Sequence, residues 1–186
     1  MATELKSERV NGIDLNVLNE TVSAIKKDPE LGKCKFRARN KWIDANHNCT
    51  TIFDFFGAKQ EMTHKQKFEL HADEPPLLAG RDQGANPAEH LLLALAGCVT
   101  TGIVAHAAVK GIHIEELESE LEGDLDLSGF LGLNPEIPKG YTNIRLKFKV
   151  KTDAKNLKLL KRLAEFSPVY NTIAQGAKVD IEFEGK

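Results

Sequence analysis

The longest uninterrupted apolar stretch of the chain runs from Leu91 to Ala105 and stands between segments with a very different polar pattern. It follows the sequence Asn-Pro-Ala-Glu-His at 86–90, and His106 and Lys110 come after it. About fifteen apolar residues fall short of the roughly 20 that cross a bilayer. The stretch therefore predicts a buried core helix that ends near Lys110, with Gly111 as its C-cap.

Residues 1–32 are polar except for one amphipathic patch, in which apolar residues recur at helical spacing. The pattern ends at Asp28 and Pro29, so it predicts a short helix behind a disordered N-terminal tip. We therefore interpret residues 1–32 as an N-terminal extension with a short helix, and residues 33–186 as the main domain.

From residue 33 the hydrophobic period changes to two, which is the period of strands. Apolar and basic side chains alternate through 36–42, and the turn formers at 44–48 close a hairpin. The same reasoning predicts strands over 50–56, 67–72, 114–127, 141–152 and 179–183, helices over 154–166 and 167–175, and loops over 77–84 and 128–140. Gly80 and Gly84 are expected to be flexible points, and the second loop is too apolar to be fully exposed. This order of elements defines an α+β fold.

Composition argues against several classes of protein. The formal charge of −2 provides no basic excess for binding nucleic acid, and the N-terminus lacks the apolar core of a signal peptide. With no predicted membrane span, we expect a cytoplasmic protein. Three cysteines without CxxC spacing and six histidines without metal-binding spacing favour neither a disulfide framework nor a metal site, and no cofactor is expected.

The predicted central helix is rich in small residues, which would let another backbone approach it closely. These residues are Ala94, Ala96, Gly97, Gly102, Ala105, Ala107 and Ala108. The helix is also too apolar for one side to face water. We therefore expect a homodimer in which the two long helices share one core.

A family resemblance rests on three segments of this chain. They are Asn86-Pro87-x-Glu89-x-Leu91-Leu92-x-Ala94-Leu95-x-x-Cys98, the preceding Asp73-Glu74-Pro75 and the later Ser167-Pro168-Val169. Together they resemble the OsmC and organic hydroperoxide resistance superfamily, over roughly residues 33–184. The resemblance implies an intertwined α+β homodimer, with antiparallel sheets around the long helix and two sites at the subunit interface. It also implies a role in oxidative stress defence. In members that are peroxidases, a helix cysteine attacks the peroxide and a second cysteine then forms a disulfide with it.

The chain departs from that reactive pattern at three of four positions. Cys98 matches the first cysteine, whereas Ser167 occupies the place of the second and cannot form a disulfide. The glutamate that directly follows the motif proline is replaced by Ala88, with Glu89 one position later. The first hairpin turn contains His47 but no arginine. The resemblance is therefore closest to a longer OsmC-like branch that carries an extra N-terminal helix.

Cys98 is the candidate nucleophile, but its own helix offers no activating group. It lies some twelve residues into the helix, far from the N-terminal dipole, and its neighbours one turn away are uncharged. A reactive thiolate would therefore need a cation from elsewhere, such as Arg37 or Arg39 on the first strand. The alternative is that Cys98 is a small buried apolar residue.

The remaining candidates also have structural explanations. Glu89 is a weak candidate for a general base, since helical geometry places it on the opposite face from Cys98, about 13.5 Å along the axis. With Asn86 and Pro87 it fits a capping box. Ser167 could bind a ligand or cap the following helix. His47 is a weak binding candidate at a hairpin tip, where solvation alone would explain it.

The sequence is compatible with two functions. The first is a thiol peroxidase, of peroxiredoxin-like activity, that reduces organic hydroperoxides through Cys98 and an external thiol reductant. The alternative is a dimer without peroxidase activity that binds a small hydrophobic ligand in a cavity at the subunit interface. A less favoured variant of the first function uses Cys34 or Cys49 as a resolving thiol, which the short reach of a disulfide makes difficult.

Overall fold

The computed structural model describes residues 9–185, which fall into two compact units. The N-terminal unit comprises Asp14–Leu91, and the C-terminal unit comprises Arg9–Ile13 together with residues 92–185. The helices are α1 (Leu15–Lys27), α2 (Pro87–Val109), α3 (Leu127–Phe130), α4 (Leu157–Ala164) and α5 (Pro168–Gln175). The strands are β1 (Arg9–Val10), β2 (Ile13–Asp14), β3 (Lys35–Phe36), β4 (Arg39–Asp44), β5 (His47–Gly57), β6 (Gln60–Ala72), β7 (Glu116–Asp124) and β8 (Asn143–Lys151). The predicted α+β class is confirmed.

Helix α1 forms where the amphipathic patch predicted it. The Asp14 side chain caps its first turn by accepting the amides of Asn16 and Val17 at 3.1 and 3.4 Å. At the other end, Asp28 takes up an extended backbone and Pro29 begins a 3₁₀ turn, so the α-helix ends there. Residues 1–8 of the predicted disordered tip lie outside the described residues, and the prediction is wrong for residues 9–14, which contain the paired strands β1 and β2.

The sheet of the N-terminal unit is built around β5. Strand β6 pairs with one edge of β5, while β4 and the short β3 pair with the other edge, and all three pairings are antiparallel. The predicted strand over 36–42 is interrupted, because residues 37 and 38 lie between β3 and β4 and belong to neither of them. Strand β6 begins at Gln60 rather than residue 67, after a two-residue turn in which Ala58 and Lys59 have φ values of 48° and 64°. Neither residue is typical of such a turn, so the sequence pattern did not reveal it.

The loop after β6 is held closely by a buried carboxylate. Asp73 is 1% exposed and accepts backbone amides of Glu74, Arg81 and Gln83 at 2.8–3.1 Å. A Cβ atom at Gly80 would lie 1.7 Å from the carbonyl oxygen of Glu74. The expectation of a flexible point at Gly80 is therefore wrong, because this glycine allows a close backbone approach. Gly84 is similar, since a Cβ there would lie 2.5 Å from the carbonyl oxygen of His71.

Helix α2 ends where the sequence predicted, in a Schellman motif. Gly111 has a φ of 66°, and the amides of Gly111 and Ile112 donate to the carbonyls of Ala108 and Ala107 at 3.0 and 2.9 Å.

By length and composition alone, α2 is long and apolar enough to cross a membrane, but core helices of soluble proteins also meet these two criteria. In this chain its inward face is buried in the C-terminal unit, so we assign it to the core.

The core of the C-terminal unit lies between α2, α4 and the hairpin of β7 and β8. Its buried residues are Leu95, Val99, Ile103, Ala107, Ile112, Leu160 and Leu163. Strands β7 and β8 place alternate apolar residues against this cluster. On their outer face, acidic residues of β7 lie opposite basic residues of β8, in the pairs Glu116–Lys151, Glu118–Lys149, Glu120–Lys147 and Glu122–Arg145. The hairpin is therefore apolar on one face and charged on the other.

One predicted strand of the C-terminal unit is not formed in the structure. Residues 179–183 form no strand among the described residues, and Val179, Ile181 and Phe183 are 77%, 77% and 97% exposed. The alternating pattern is present, but no neighbouring strand pairs with it. In the apolar segment over 128–140, Phe130 and Leu131 are 59% and 54% exposed and Gly129 is buried. The segment is thus partly covered, in agreement with the expectation that it is too apolar to be fully exposed.

Candidate functional site

Cys98 lies on α2 within the C-terminal unit and is half-buried. The next residue, Val99, is in the buried core, so the thiol stands at the border between the packed and the accessible faces of the helix. As its position predicted, the residues one turn away are apolar or small. Cys98 is thus a free thiol whose neighbours one turn away on the helix carry no charge.

Glu89 is occupied in capping the same helix. Its Oε2 accepts the backbone amide of Asn86 at 2.9 Å, while the Asn86 Oδ1 accepts the amide of Ala88 at 2.7 Å. These two reciprocal bonds form a capping box, and a carboxylate at this position also suits the positive end of the helix dipole. The capping interpretation of Glu89 is confirmed.

The two candidate arginines converge on one carboxylate in the N-terminal unit. Arg39 binds Asp54 with both terminal nitrogens, and Nη2 lies 3.0 Å from Oδ2. Arg37 donates to the same Oδ2 at 3.3 Å and to Glu61 at 2.5 and 2.9 Å. The cluster thus contains two guanidinium groups and two carboxylates, so its formal charges balance.

The arginines alter the protonation of both acids. Arg39, with a smaller contribution from Arg37, lowers the pKa of Asp54 to about 2, because hydrogen bonds from a guanidinium favour the ionised carboxylate. The bond from Arg37 likewise lowers the pKa of Glu61. Asp54 is only 24% exposed, so solvent screens its pairing with Arg39 less than it would screen a pair between two exposed groups.

His47 is not simply solvated at its hairpin tip, as its position had suggested. Its Nε2 lies 2.8 Å from Nδ1 of His71 on β6, and the ring centroids are 5.0 Å apart. One ring must donate and the other accept, so at least one imidazole is neutral in this arrangement. Cys49 lies on the same sheet face, since it pairs with His71 in the register of β5 and β6. Within residues 9–185, no three His, Cys, Asp or Glu side chains are grouped to hold a metal ion.

Ser167 is the N-cap of α5 in the C-terminal unit and is fully buried. Its Oγ accepts the amide of Tyr170 at 3.1 Å, and Pro168 occupies the first helical position. The capping interpretation is therefore confirmed. A ligand-binding role for its hydroxyl stays a prediction.

The structure brings together Arg37 with Arg39, and His47 with His71. Arg37, Arg39, His47 and Glu89 belong to the N-terminal unit, whereas Cys98 and Ser167 belong to the C-terminal unit. Sequence reasoning missed Asp54, Glu61 and His71, the partners of these side chains. One signal was present for Asp54, an isolated acid in an otherwise apolar returning strand opposite alternating arginines.

A long helix that is buried along one face and carries a central cysteine, combined with antiparallel sheets, defines a class of α+β protein. Residues 80–182 match the family of OsmC-like proteins. The chain therefore belongs to the OsmC-like family, and the predicted resemblance is confirmed.

Solved structures agree on the fold. An OsmC-like protein from Mycoplasma pneumoniae has a TM-score of 0.55 at 18% identity, with 75% of this chain and 87% of that chain covered. An OsmC-like protein of unknown function from Vibrio cholerae has a TM-score of 0.56 at 14% identity, covering 74% and 92%. A Legionella pneumophila protein, described as an organic hydroperoxide resistance protein OsmC, predicted redox protein and regulator of sulfide bond formation, has a TM-score of 0.51 at 19% identity, covering 74% and 89%. No curated protein matches the chain.

Proposed function

We propose that this protein reduces organic hydroperoxides with Cys98 as its reactive thiol and an external dithiol as reductant. The observation that carries the proposal is a half-buried free cysteine on the central helix of an OsmC-like chain. The description of the Legionella pneumophila relative as a hydroperoxide resistance and redox protein supports it.

The first step would oxidise Cys98. Its thiolate attacks the terminal oxygen of the hydroperoxide, the one that carries the hydrogen, so an S–O bond forms and the O–O bond breaks. The departing alkoxide takes up a proton and leaves as an alcohol. The peroxide gains two electrons, and Cys98 becomes a sulfenic acid.

The second step would restore the thiol with an external reductant. One thiolate of the dithiol attacks the sulfenic sulfur, forming a mixed disulfide and releasing water. The second thiol then displaces Cys98 and leaves as a disulfide. An external reductant fits Ser167 at the position of the missing second cysteine, since a hydroxyl cannot take part in this exchange.

Activation of Cys98 needs a cation, and we propose Arg39 or Arg37 for that role. Arg39 is 62% exposed and Arg37 28% exposed, so each retains some accessible surface besides its contact with Asp54. A cationic neighbour stabilises a thiolate and raises the rate of attack.

We also propose that the protein works as a cytoplasmic homodimer. The outward face of α2 leaves Leu93, Gly97 and Thr101 exposed at successive turns. The apolar residues in 179–183 are exposed as well, and their alternation suits a strand that pairs with another chain. Burial of both apolar surfaces against a second copy would account for them.

The direct test measures consumption of cumene hydroperoxide by the purified protein with dithiothreitol. We expect turnover in the wild type and in the double variant Cys34→Ser/Cys49→Ser, and its loss in Cys98→Ser. Dimedone should label Cys98 as the sulfenic acid when dithiol is withheld. Unchanged turnover in Cys98→Ser would disprove the proposal, and loss in the double variant would point to an internal resolving cysteine instead.

A further inference from the structure

A cavity of about 470 Å³ lies entirely within the C-terminal unit. Helix α2 contributes Val99 and Ile103 to its wall, the β7–β8 hairpin contributes Leu117, Leu146, Phe148 and Val150, and α4 contributes Leu157, Leu160 and Ala164. None of the candidate residues for peroxide chemistry lines it. The cavity is thus a feature separate from the candidate site described above.

The walls of this cavity are the apolar inner faces of packed elements. The space is partly open to solvent, and its volume of about 470 Å³ is within the range of small-molecule sites. Because its walls offer few hydrogen-bonding partners, water inside it is poorly held and an apolar ligand would displace that water favourably.

Three polar side chains also line the cavity, Lys161, Glu165 and Tyr170. Lys161 and Glu165 are four residues apart at the end of α4, and both are exposed. Within residues 9–185, neither forms an ion pair with another side chain. Tyr170 lies in the first turn of α5, where Ser167 binds its amide at 3.1 Å. The cavity therefore combines apolar walls with one ammonium, one carboxylate and one phenol.

The charges of this polar set decide what head group suits it. An ionised carboxylate on the ligand would meet Glu165, and an ammonium would meet Lys161, so each ionic head group gains one attraction and suffers one repulsion. A hydroxyl or carbonyl head group avoids both repulsions and can use the ammonium and phenol as donors and the carboxylate as acceptor. It also loses much less hydration on binding than an ion does.

We propose that this cavity binds an uncharged amphiphile, a molecule with one apolar chain and one hydroxyl or carbonyl end. The apolar chain of the ligand packs against the inner face of β7 and β8, and its polar end reaches Lys161, Glu165 and Tyr170. This binding function goes beyond the proposed peroxide reduction and does not require Cys98.

Titration calorimetry with three probes of equal chain length tests the proposal. We expect 1-octanol to bind saturably, with one molecule per chain, and about tenfold more tightly than octanoate or octylamine at neutral pH. The Cys98→Ser variant should bind 1-octanol as the wild type does, which separates this proposal from the peroxidase. Absence of saturable binding by the folded wild type would overturn it, as would equal affinity for all three probes.

Two charge variants test the head-group site without changing the core, because Lys161 and Glu165 are exposed. Glu165→Gln removes the repulsion of an anion, so octanoate should bind about tenfold more tightly, while Lys161→Gln should do the same for octylamine. Lys158→Gln is the matched control, because Lys158 is on α4 but does not line the cavity. If Lys158→Gln shifts probe preference as much as the other two, the assignment of the head-group site is wrong.

A filling variant tests the apolar part. Leu146→Trp places a larger side chain in the cavity and should weaken 1-octanol binding by about tenfold or more. Circular dichroism and the unfolding midpoint show whether this variant folds. If Leu146→Trp folds and its affinity for 1-octanol is unchanged, the placement of the ligand's alkyl chain is wrong. If it does not fold, the charge variants alone test the binding site.

Discussion

Asn11 holds the backbone of Ile112 through its side-chain amide, whose Nδ2 donates to the Ile112 carbonyl at 2.9 Å. The Oδ1 of the same side chain accepts the amide of Ile114, also at 2.9 Å. Asn11 and Gly12 form the tight turn between β1 and β2, with φ values of 52° and 78°. One turn residue thus fastens the segment that follows the C-terminus of α2.

Replacing Asn11 by Ala should destabilise the C-terminal unit by about 1–3 kcal/mol, because two partly buried backbone groups lose their partner. Alanine is also less suited to a positive φ than asparagine is. Urea denaturation measures the change, with Asn16→Ala on the exposed face of α1 as control. Equal effects of the two substitutions would show that the bonds from Asn11 contribute little.

Because of Asp54, the free energy of unfolding should depend on pH in the acidic range. Its pKa falls from an ordinary 3.8 to about 2 in the folded chain. A lowered acid pKa stabilises the fold above pH 4, and this contribution is lost as the pH falls from about 4 to 2. Urea midpoints of wild type and Asp54→Asn should therefore converge over that interval. A constant difference between them from pH 7 to pH 2.5 would contradict the assignment.

Gly80 should not tolerate a side chain. A Cβ atom there would overlap the carbonyl of Glu74, so Gly80→Ala should cost at least ~2 kcal/mol and loosen the loop that Asp73 closes. Gly140→Ala is the control, since a Cβ at Gly140 meets no atom within 4 Å. Denaturation midpoints and proteolysis of the 74–84 loop measure the difference, and similar behaviour of the two variants would disprove the close-approach explanation.

Gly97 tests the proposed homodimer. A Cβ at this exposed helix position meets no atom within 4 Å in the single chain, and removing a mid-helix glycine favours the isolated helix by about 1 kcal/mol. If two α2 helices pack closely, however, Gly97→Leu should separate them. Light scattering after size exclusion should show a dimer for wild type and for Gly140→Leu, and a monomer for Gly97→Leu. A dimer in all three would exclude this helix face from the interface.

Arg39 tests the proposed activation of Cys98. Neutral iodoacetamide should alkylate Cys98 about tenfold more slowly in Arg39→Gln than in wild type, because the thiolate loses a stabilising cation. Lys41→Gln is the matched control on the same strand. Peptide mass spectrometry reads the rate at Cys98 separately from Cys34 and Cys49. An unchanged alkylation rate in Arg39→Gln would leave Arg37 as the remaining candidate. An unchanged rate in Arg37→Gln as well would reject this role for both arginines.

Local patterns in the sequence predicted the long helix, its caps at Glu89 and Gly111, and the cap at Ser167, because each depends on neighbours within a few residues. The Asn11–Gly12 turn was missed although Asn-Gly is the strongest short-range hairpin signal. Ala58 and Lys59 gave no such signal. The pairing of His47 with His71 depends on the register between two strands, which neither strand specifies by itself.

The separation of charge on the β7–β8 hairpin has a consequence for solubility. All four acids of the paired set are on β7, and all four bases are on β8. If β7 met β7 of another molecule along its hydrogen-bonding edge, carboxylates would face carboxylates, and two β8 strands would oppose cations in the same way. Each strand therefore repels its like, which disfavours edge contacts between two β7 strands or between two β8 strands of different molecules.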